Sequence, residues 1–200
     1  MRIIVVGATG LIGKEVVQAL EGRHEVVAVG HSSGEIRVDI TSRSSIEAMF
    51  KKVGPFDALV STAGRAAFGE LAKLSDEELD LGLKDKLMGQ VNLVRIGLAT
   101  VRDSGSFTLT SGVLAREPIP GSAAISLVNA GLEGFVGAAA LQMPRGVRIN
   151  IVSPPFAKET LKALGMDESY GLPVRTFARA YLEAVEGKKN GEILDVRKLQ

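Results

Sequence analysis

The stretch Ile3-Ile4-Val5-Val6-Gly7-Ala8-Thr9-Gly10-Leu11-Ile12-Gly13 decides how this chain reads. Four consecutive β-branched residues make a strand pattern, and glycines spaced G-x-x-G-x-x-G lead from it directly into the helical pattern Ile12 to Leu20. Gly7 permits a tight turn, Gly10 lets the backbone approach a pyrophosphate with no Cβ in the way, and Gly13 allows the helix to pack closely on the strand. The unpaired N–H groups at the positive end of that helix would then face the phosphates, with Thr9, Leu11 and Ile12 on the same turn. A candidate nucleotide-phosphate cradle follows. The alternative is a glycine turn that merely packs.

Working outward, the strand signature returns at Glu25–Val29, Glu35–Val38, Ala58–Ser61, Ser106–Thr110, Arg148–Val152 and Glu192–Val196, predicting seven strands with the first. Helical patterns lie between most of them, at Ile12–Leu20, Ser44–Val53, Asp76–Val101, Val128–Gln142 and Val174–Val185, with Ser75 as the N-cap of the third. Parallel neighbours need crossovers, and crossover helices cover both faces of a sheet. Alternating strand and helix, with strands apolar on both faces, therefore predicts an α/β fold with a mostly parallel seven-stranded sheet. No repeat, linker or shift in composition divides the chain, so residues 1–200 are expected to form a single domain.

Composition narrows the function. The 200 residues are 46% hydrophobic and 24% charged, within the globular range. Lys plus Arg is 24 against 23 for Asp plus Glu, a formal charge of +1, and no basic run stands out, so no nucleic-acid partner is expected. There are no cysteines, and His24 and His31 are too far apart in type of spacing for a helical metal pair, so no metal site is expected. Apolar runs fall short of the roughly 20 residues of a membrane span. The chain begins with a strand pattern and not a signal peptide, so a soluble, cytoplasmic protein is expected.

The second strand ends at Val29-Gly30-His31-Ser32-Ser33, with no acid where an NAD-specific site would hold the ribose hydroxyls. His31, Ser32 and Ser33 offer donors without a repelling carboxylate, and Lys14 adds a positive charge beyond the glycine turn. NADP is expected in preference to NAD, unless His31 is an ordinary solvated loop residue.

Together these residues resemble the short-chain dehydrogenase/reductase family, along essentially the whole chain. Val38-Asp39-Ile40-Thr41 is similar to its adenine-contacting segment, which implies roles for Asp39 and Ile40; Ser61-Thr62-Ala63-Gly64 is similar to its N-A-G segment. Thr110-Ser111-Gly112 falls where the family has its catalytic serine, and Ser153-Pro154-Pro155 where it has Pro-Gly, implying that Pro154 borders the cofactor. The glycine spacing is closer to that of extended and atypical members than to the commoner T-G-x-x-x-G-x-G. The resemblance implies a Rossmann-type, doubly wound fold, bound NADP, and hydride transfer to or from a small-molecule carbonyl or alcohol.

The site departs from the family. Counting back from Ala130-Gly131-Leu132-Glu133-Gly134-Phe135 puts Ile125 at the tyrosine of Tyr-x-x-x-Lys and Asn129 at its lysine, while Lys86 stands at the asparagine of Asn-x-x-Gly. An isoleucine neither donates nor accepts a proton, and general acid–base help is typically worth about 10²- to 10⁴-fold in rate. Lys86, flanked by Gly82 and Gly89 at i−4 and i+3, is read either as delivering its ammonium to the same region from the opposite helix, with Asn129 supplying an amide, or as a solvated lysine. Ser111 would hydrogen-bond a substrate carbonyl. Ser111, Lys86 and Asn129 are thus the candidate catalytic residues.

Of the two tyrosines, Tyr170 lies in the loop where relatives build the substrate pocket and could replace the missing phenol, whereas Tyr181 reads as helix packing. Arg65 could contact an anionic substrate, and Glu70 and Asp76-Glu77-Glu78 read as helix-start charges. Relatives are longer, mainly in the lid corresponding to Phe156–Pro173, which implies a small or open substrate site. The Gly134, Ala138 and Leu141 face implies a homodimer by the same analogy. Three functions stay open: an NADP-dependent oxidoreductase with a modified proton-transfer apparatus, a catalytically inactive NADP-binding sensor or partner-binding protein, and a lyase or isomerase that uses the pocket without hydride transfer.

Overall fold

The computed structural model describes residues 1–199; Gln200, the last residue of the expected domain, lies outside the described residues. The strands β1 (Arg2–Val6), β2 (Glu25–Gly30), β3 (Ile36–Arg37), β4 (Phe56–Ser61), β5 (Val101–Thr110), β6 (Arg148–Ser153) and β7 (Ile193–Asp195) form one sheet ordered β3-β2-β1-β4-β5-β6-β7. Every pairing is parallel. Side chains alternate across the pleat, so β1 sends Ile4 and Val6 into one core and Ile3 and Val5 into the other. Helices α2 (Arg43–Val53), α4 (Met88–Gly97) and α5 (Ala123–Ala140) cover the first face, and α1 (Leu11–Leu20) and α7 (Ala178–Glu186) the second, with the short α6 (Lys158–Ala163) between β6 and α7 in the chain. This is the doubly wound arrangement the sequence predicts.

Several boundaries differ from the sequence expectation. The helix expected over Asp76–Val101 is three pieces: α3 (Asp76–Leu81), a π-helical turn over Gly82–Leu87, and α4. A Cβ on Gly82 would lie 3.3 Å from Val128 Cγ1, and one on Gly89 would lie 2.8 Å from Ile40 Cδ1, so the widened turn is pressed between α5 and the β3–α2 segment. Strand β5 starts at Val101 and not Ser106, because an irregularity beside Phe56 and Ala58, with Ser104 at φ 59°, carries the ladder past Gly105. Strand β3 shrinks to Ile36–Arg37, and α5 begins at Ala123, ahead of its apolar periodicity. The Ser75 cap is present as a reciprocal box: Glu78 N–H donates to Ser75 Oγ at 3.2 Å and Ser75 N–H to Glu78 Oε2 at 2.9 Å. Helix α5 has the length and apolarity of a membrane span, but Val128, Leu132, Val136 and Ala139 seat its inner face on the sheet.

Candidate active site

From β1 the chain winds outward to β2 and β3, then returns to place β4 on the other side of β1. Ligands of open parallel sheets bind at such a switch point, beyond the carboxyl ends of the strands. A cleft of about 520 Å³ opens there, walled by Gly7, Thr9 and Gly10 from the glycine turn, His31 and Asp39 from the next two strands, and Thr62 to Arg65 after β4.

The backbone of this cleft fits a dinucleotide diphosphate. Gly7 has φ +87°, and a Cβ on it would lie 2.8 Å from Thr62 Oγ1; a Cβ on Gly13 would lie 2.1 Å from the Gly7 carbonyl oxygen. Glycine is therefore required for the turn and for the seating of α1. The N-cap of α1 is Gly10, with no side-chain cap and no acid in the first turn. Its leading N–H groups, on Leu11, Ile12 and Gly13, have no intrahelical acceptors and are the donors an anion would meet. Thr62 ties the two strand ends together, its N–H donating to Val6 O at 2.9 Å and its hydroxyl lying 3.2 Å from the same oxygen.

At the β2 end, His31 lines the cleft, whereas Ser32 and Ser33 are exposed in the same loop outside the wall. No carboxylate stands at the tip of this strand. Asp39 lines the same cleft, its Oδ1 accepting from Thr41 N–H at 2.9 Å and Thr41 Oγ1 at 2.7 Å. Those bonds hold its carboxyl below the usual range, with smaller contributions from His31 and Arg65. Ile40, beside it, packs on Gly89.

Beyond Gly64 the site changes character. Gly64 has φ +123°, and a Cβ there would lie 2.7 Å from Lys86 Cα, so its bareness lets the π turn close down on the β4 loop. Lys86 is 9% exposed, which rules out the solvated lysine. Its Nζ reaches the Ser111 carbonyl oxygen at 3.5 Å. Burial lowers this ammonium to about 8 despite the opposing pull of Asp85. The Asp85 carboxylate is itself engaged by Arg65, through Nε at 3.0 Å and the backbone N–H at 3.3 Å. Arg65 spends its Nε on Asp85, while its side chain, 73% exposed, stays on the cleft wall.

Asn129 arrives from α5 onto the same backbone. A Cβ on Gly112 would lie 3.0 Å from Asn129 Nδ2, and the buried Oδ1 has no hydrogen-bond partner. Lys86 and Asn129 thus converge on Ser111-Gly112 from different helices, each with unused hydrogen-bonding capacity. An unpartnered acceptor beside a cavity can be completed by a bound donor.

Next to them lies a pocket of about 120 Å³ between Ser111–Leu114, Ile125 and Asn129, and Pro154–Phe156. Pro154 borders this pocket and not the larger cleft. Ile125 forms wall where the family resemblance implies a phenol, and no tyrosine replaces it. Tyr170 is 77% exposed and lines neither cavity. Tyr181 is packing, as the sequence indicates: its hydroxyl lies 2.8 Å from Thr110 Oγ1, which donates to Ser61 O at 2.6 Å, and burial raises the phenol.

Ser111 has a partner that sequence reading did not supply. Its hydroxyl donates to Glu133 Oε1 at 2.9 Å, and Arg116 Nη1 lies 3.3 Å from both oxygens of that carboxylate. Arg116 also donates to Ser153 Oγ at 3.1 Å and sits 3.5 Å from Asp195, whose carboxyl is held low chiefly by its hydrogen bonds to Arg197. Glu133 lies inside the stretch used to count back to Ile125, but nothing local connects it to Ser111.

Comparison with known proteins agrees with this geometry. The family model described as enoyl-(acyl carrier protein) reductase matches residues 7–186. The crystal structure of the protein lin1944 from Listeria innocua is 39% identical with a TM-score of 0.94, covering 98% of this chain and 99% of that one. A small-chain dehydrogenase in complex with NADPH is 26% identical with a TM-score of 0.87, covering 98% and 95%. Hydroxynaphthalene reductase arp2 of Aspergillus fumigatus is 25% identical over 160 residues, 78% of this chain, which spans 56% of that curated relative. The chain belongs to the short-chain dehydrogenase/reductase family, a family of oxidoreductases that bind nicotinamide cofactors.

Proposed function

We propose that this chain is an NADP(H)-dependent oxidoreductase for a small, largely apolar alcohol or carbonyl compound, working without the phenol and with its lysine and amide exchanged between helices. The observation that carries this reading is the convergence of Lys86 and the unpartnered Asn129 Oδ1 on Ser111-Gly112, between a diphosphate cradle and a 120 Å³ apolar pocket. The ammonium of Lys86 donates and Asn129 Oδ1 accepts, so a vicinal pair of ribose hydroxyls satisfies both. The N–H groups of Leu11, Ile12 and Gly13 hold the diphosphate. Absence of an acid after β2, with His31 on the wall, favours the 2′-phosphate form, and the relative bound to NADPH supports the same choice. Bound there, the nicotinamide supplies the hydride-exchanging carbon. Pro154, Phe156 and Ile125 exclude water from the reacting centre.

Incubating the NADPH-loaded protein with small aldehydes, ketones and quinones, and following cofactor absorbance, tests the reading. Oxidation above background is the expected result; tight NADPH binding with no turnover across the panel identifies the sensor alternative. The outer face of α5, where Leu127, Ala130, Gly134, Ala138 and Leu141 are exposed and a Cβ on Gly134 would touch nothing, is the surface on which we place a homodimer contact. Sedimentation of wild type against Gly134→Glu checks it: a dimer that becomes a monomer.

A further inference from the structure

Ser111 has one hydroxyl hydrogen, and Glu133 takes it. What Ser111 can then offer the adjoining pocket is lone pairs, so it accepts from a bound ligand and does not donate to one. This reverses the role the family resemblance implies, donation to a substrate carbonyl. The acceptor is built in. Glu133 is held by Arg116, and Arg116 by Ser153 and Asp195, so the carboxylate is tied to both β6 and β7.

We infer that Ser111 and Glu133 form a proton-relay pair that stands in for the absent phenol, with a bound alcohol as the partner recognised by the resting site. This rests on the oxidoreductase reading above. In the oxidative direction the carbinol C–H leaves as hydride to the oxidised nicotinamide dinucleotide. The alcohol O–H gives its proton to Ser111 Oγ while the serine passes its own to a Glu133 oxygen. The products are a carbonyl compound, the reduced dinucleotide and a protonated Glu133, which loses the proton to water. As hydride departs, the alcohol oxygen becomes a protonated carbonyl, an acid far stronger than the alcohol, so a carboxylate is a sufficient final base. Reduction runs the same path backwards. Glu133 acts through Ser111 and is a positioning and relay residue, not a substrate contact.

Two measurements test the pair. In the cofactor-free protein, the carboxyl 13C signal assigned to Glu133 by its loss in Glu133→Gln is expected to shift in Ser111→Ala; an unmoved signal overturns the proposal by removing the bond it rests on. With NADP⁺ and secondary alcohols from propan-2-ol to cyclohexanol, Glu133→Gln is expected to slow single-turnover hydride transfer about 10²- to 10⁴-fold. Its NADP⁺ affinity should stay within about twofold, because the relay lies outside the cofactor cradle, and the double variant with Ser111→Ala should be no slower than Ser111→Ala alone. Turnover that persists in Glu133→Gln overturns the relay and leaves the oxidoreductase reading standing. A wild type that binds NADP⁺ tightly and oxidises none of these alcohols overturns both.

Discussion

At the β1–β4 end of the site the groups that would hold a ligand are backbone atoms, whereas at the β5–α5 end they are side chains. The first end depends on glycines whose missing Cβ atoms leave room for the turn, and on N–H groups that any residue could present. The second depends on Ser111, Lys86, Asn129 and Glu133, whose identities are the chemistry. A backbone cradle tolerates almost no change in shape but is indifferent to side-chain identity. A side-chain constellation can exchange members between helices while keeping its place in space, which is the exchange we propose for Lys86 and Asn129.

If that contrast holds, the largest effect comes from adding one carbon to the cradle. In Gly13→Ala the new Cβ would overlap the Gly7 carbonyl, so NADPH affinity measured by fluorescence titration should fall more than about 100-fold and stability in urea by roughly 3 kcal/mol, the upper range for overpacking. An affinity that survives would mean the cradle is not where the cofactor sits.

At the other end, Lys86→Met should weaken NADPH about tenfold, the scale of one charge-assisted hydrogen bond, yet leave the apoprotein as stable as wild type or more so, because a poorly paired buried ammonium is a cost to the fold. The sign of its pH dependence follows. Unfolded, the lysine keeps its proton to 10.5; folded, it loses it at about 8. Between those values the unfolded state binds more protons, so wild-type stability should rise with pH across that window, by roughly 3 kcal/mol in total. Below about pH 8 the penalty is fully present and the curve is flat with respect to this group. Denaturant melts from pH 7 to 10.5 should show the rise in wild type and lose it in Lys86→Met.

A smaller effect, of opposite sign, is expected from Ile125→Tyr. A phenol restored to the pocket wall should raise turnover of any accepted substrate about threefold, well below the roughly 10²-fold of a preorganised acid–base group, and cost about 1 kcal/mol by crowding. No gain would show that the Ser111 end has no use for a phenol. Smallest of all, Tyr181→Phe removes a buried hydroxyl that is already satisfied. It should cost about 1 kcal/mol in stability with NADPH affinity unchanged, since the Tyr181 hydroxyl meets Thr110 in the core and lines neither cavity.

Much of this was legible beforehand. Strand and helix alternation, the glycine turn, the Ser75 cap and the packing role of Tyr181 all express local periodicity or local stereochemistry. The breaks in the long helix were not, because a π turn forms where neighbours press on Gly82 and Gly89, and those neighbours come from α5 and Ile40. Likewise, the reading of Tyr170 as a replacement phenol rested on its place in the loop where relatives build the substrate pocket, and the structure places that side chain in solvent.

The amino-acid order by itself determined the α/β architecture and the glycine turn that follows β1, because each is carried by residues adjacent in the chain or by a residue's own covalent chemistry. Only the tertiary structure decided that Lys86 is buried against the Ser111 carbonyl, that Asn129 lies over Gly112, and that Ser111 gives its hydrogen to Glu133. Burial and hydrogen-bond direction belong to pairs of atoms brought together from different elements, and no single element of the chain contains them.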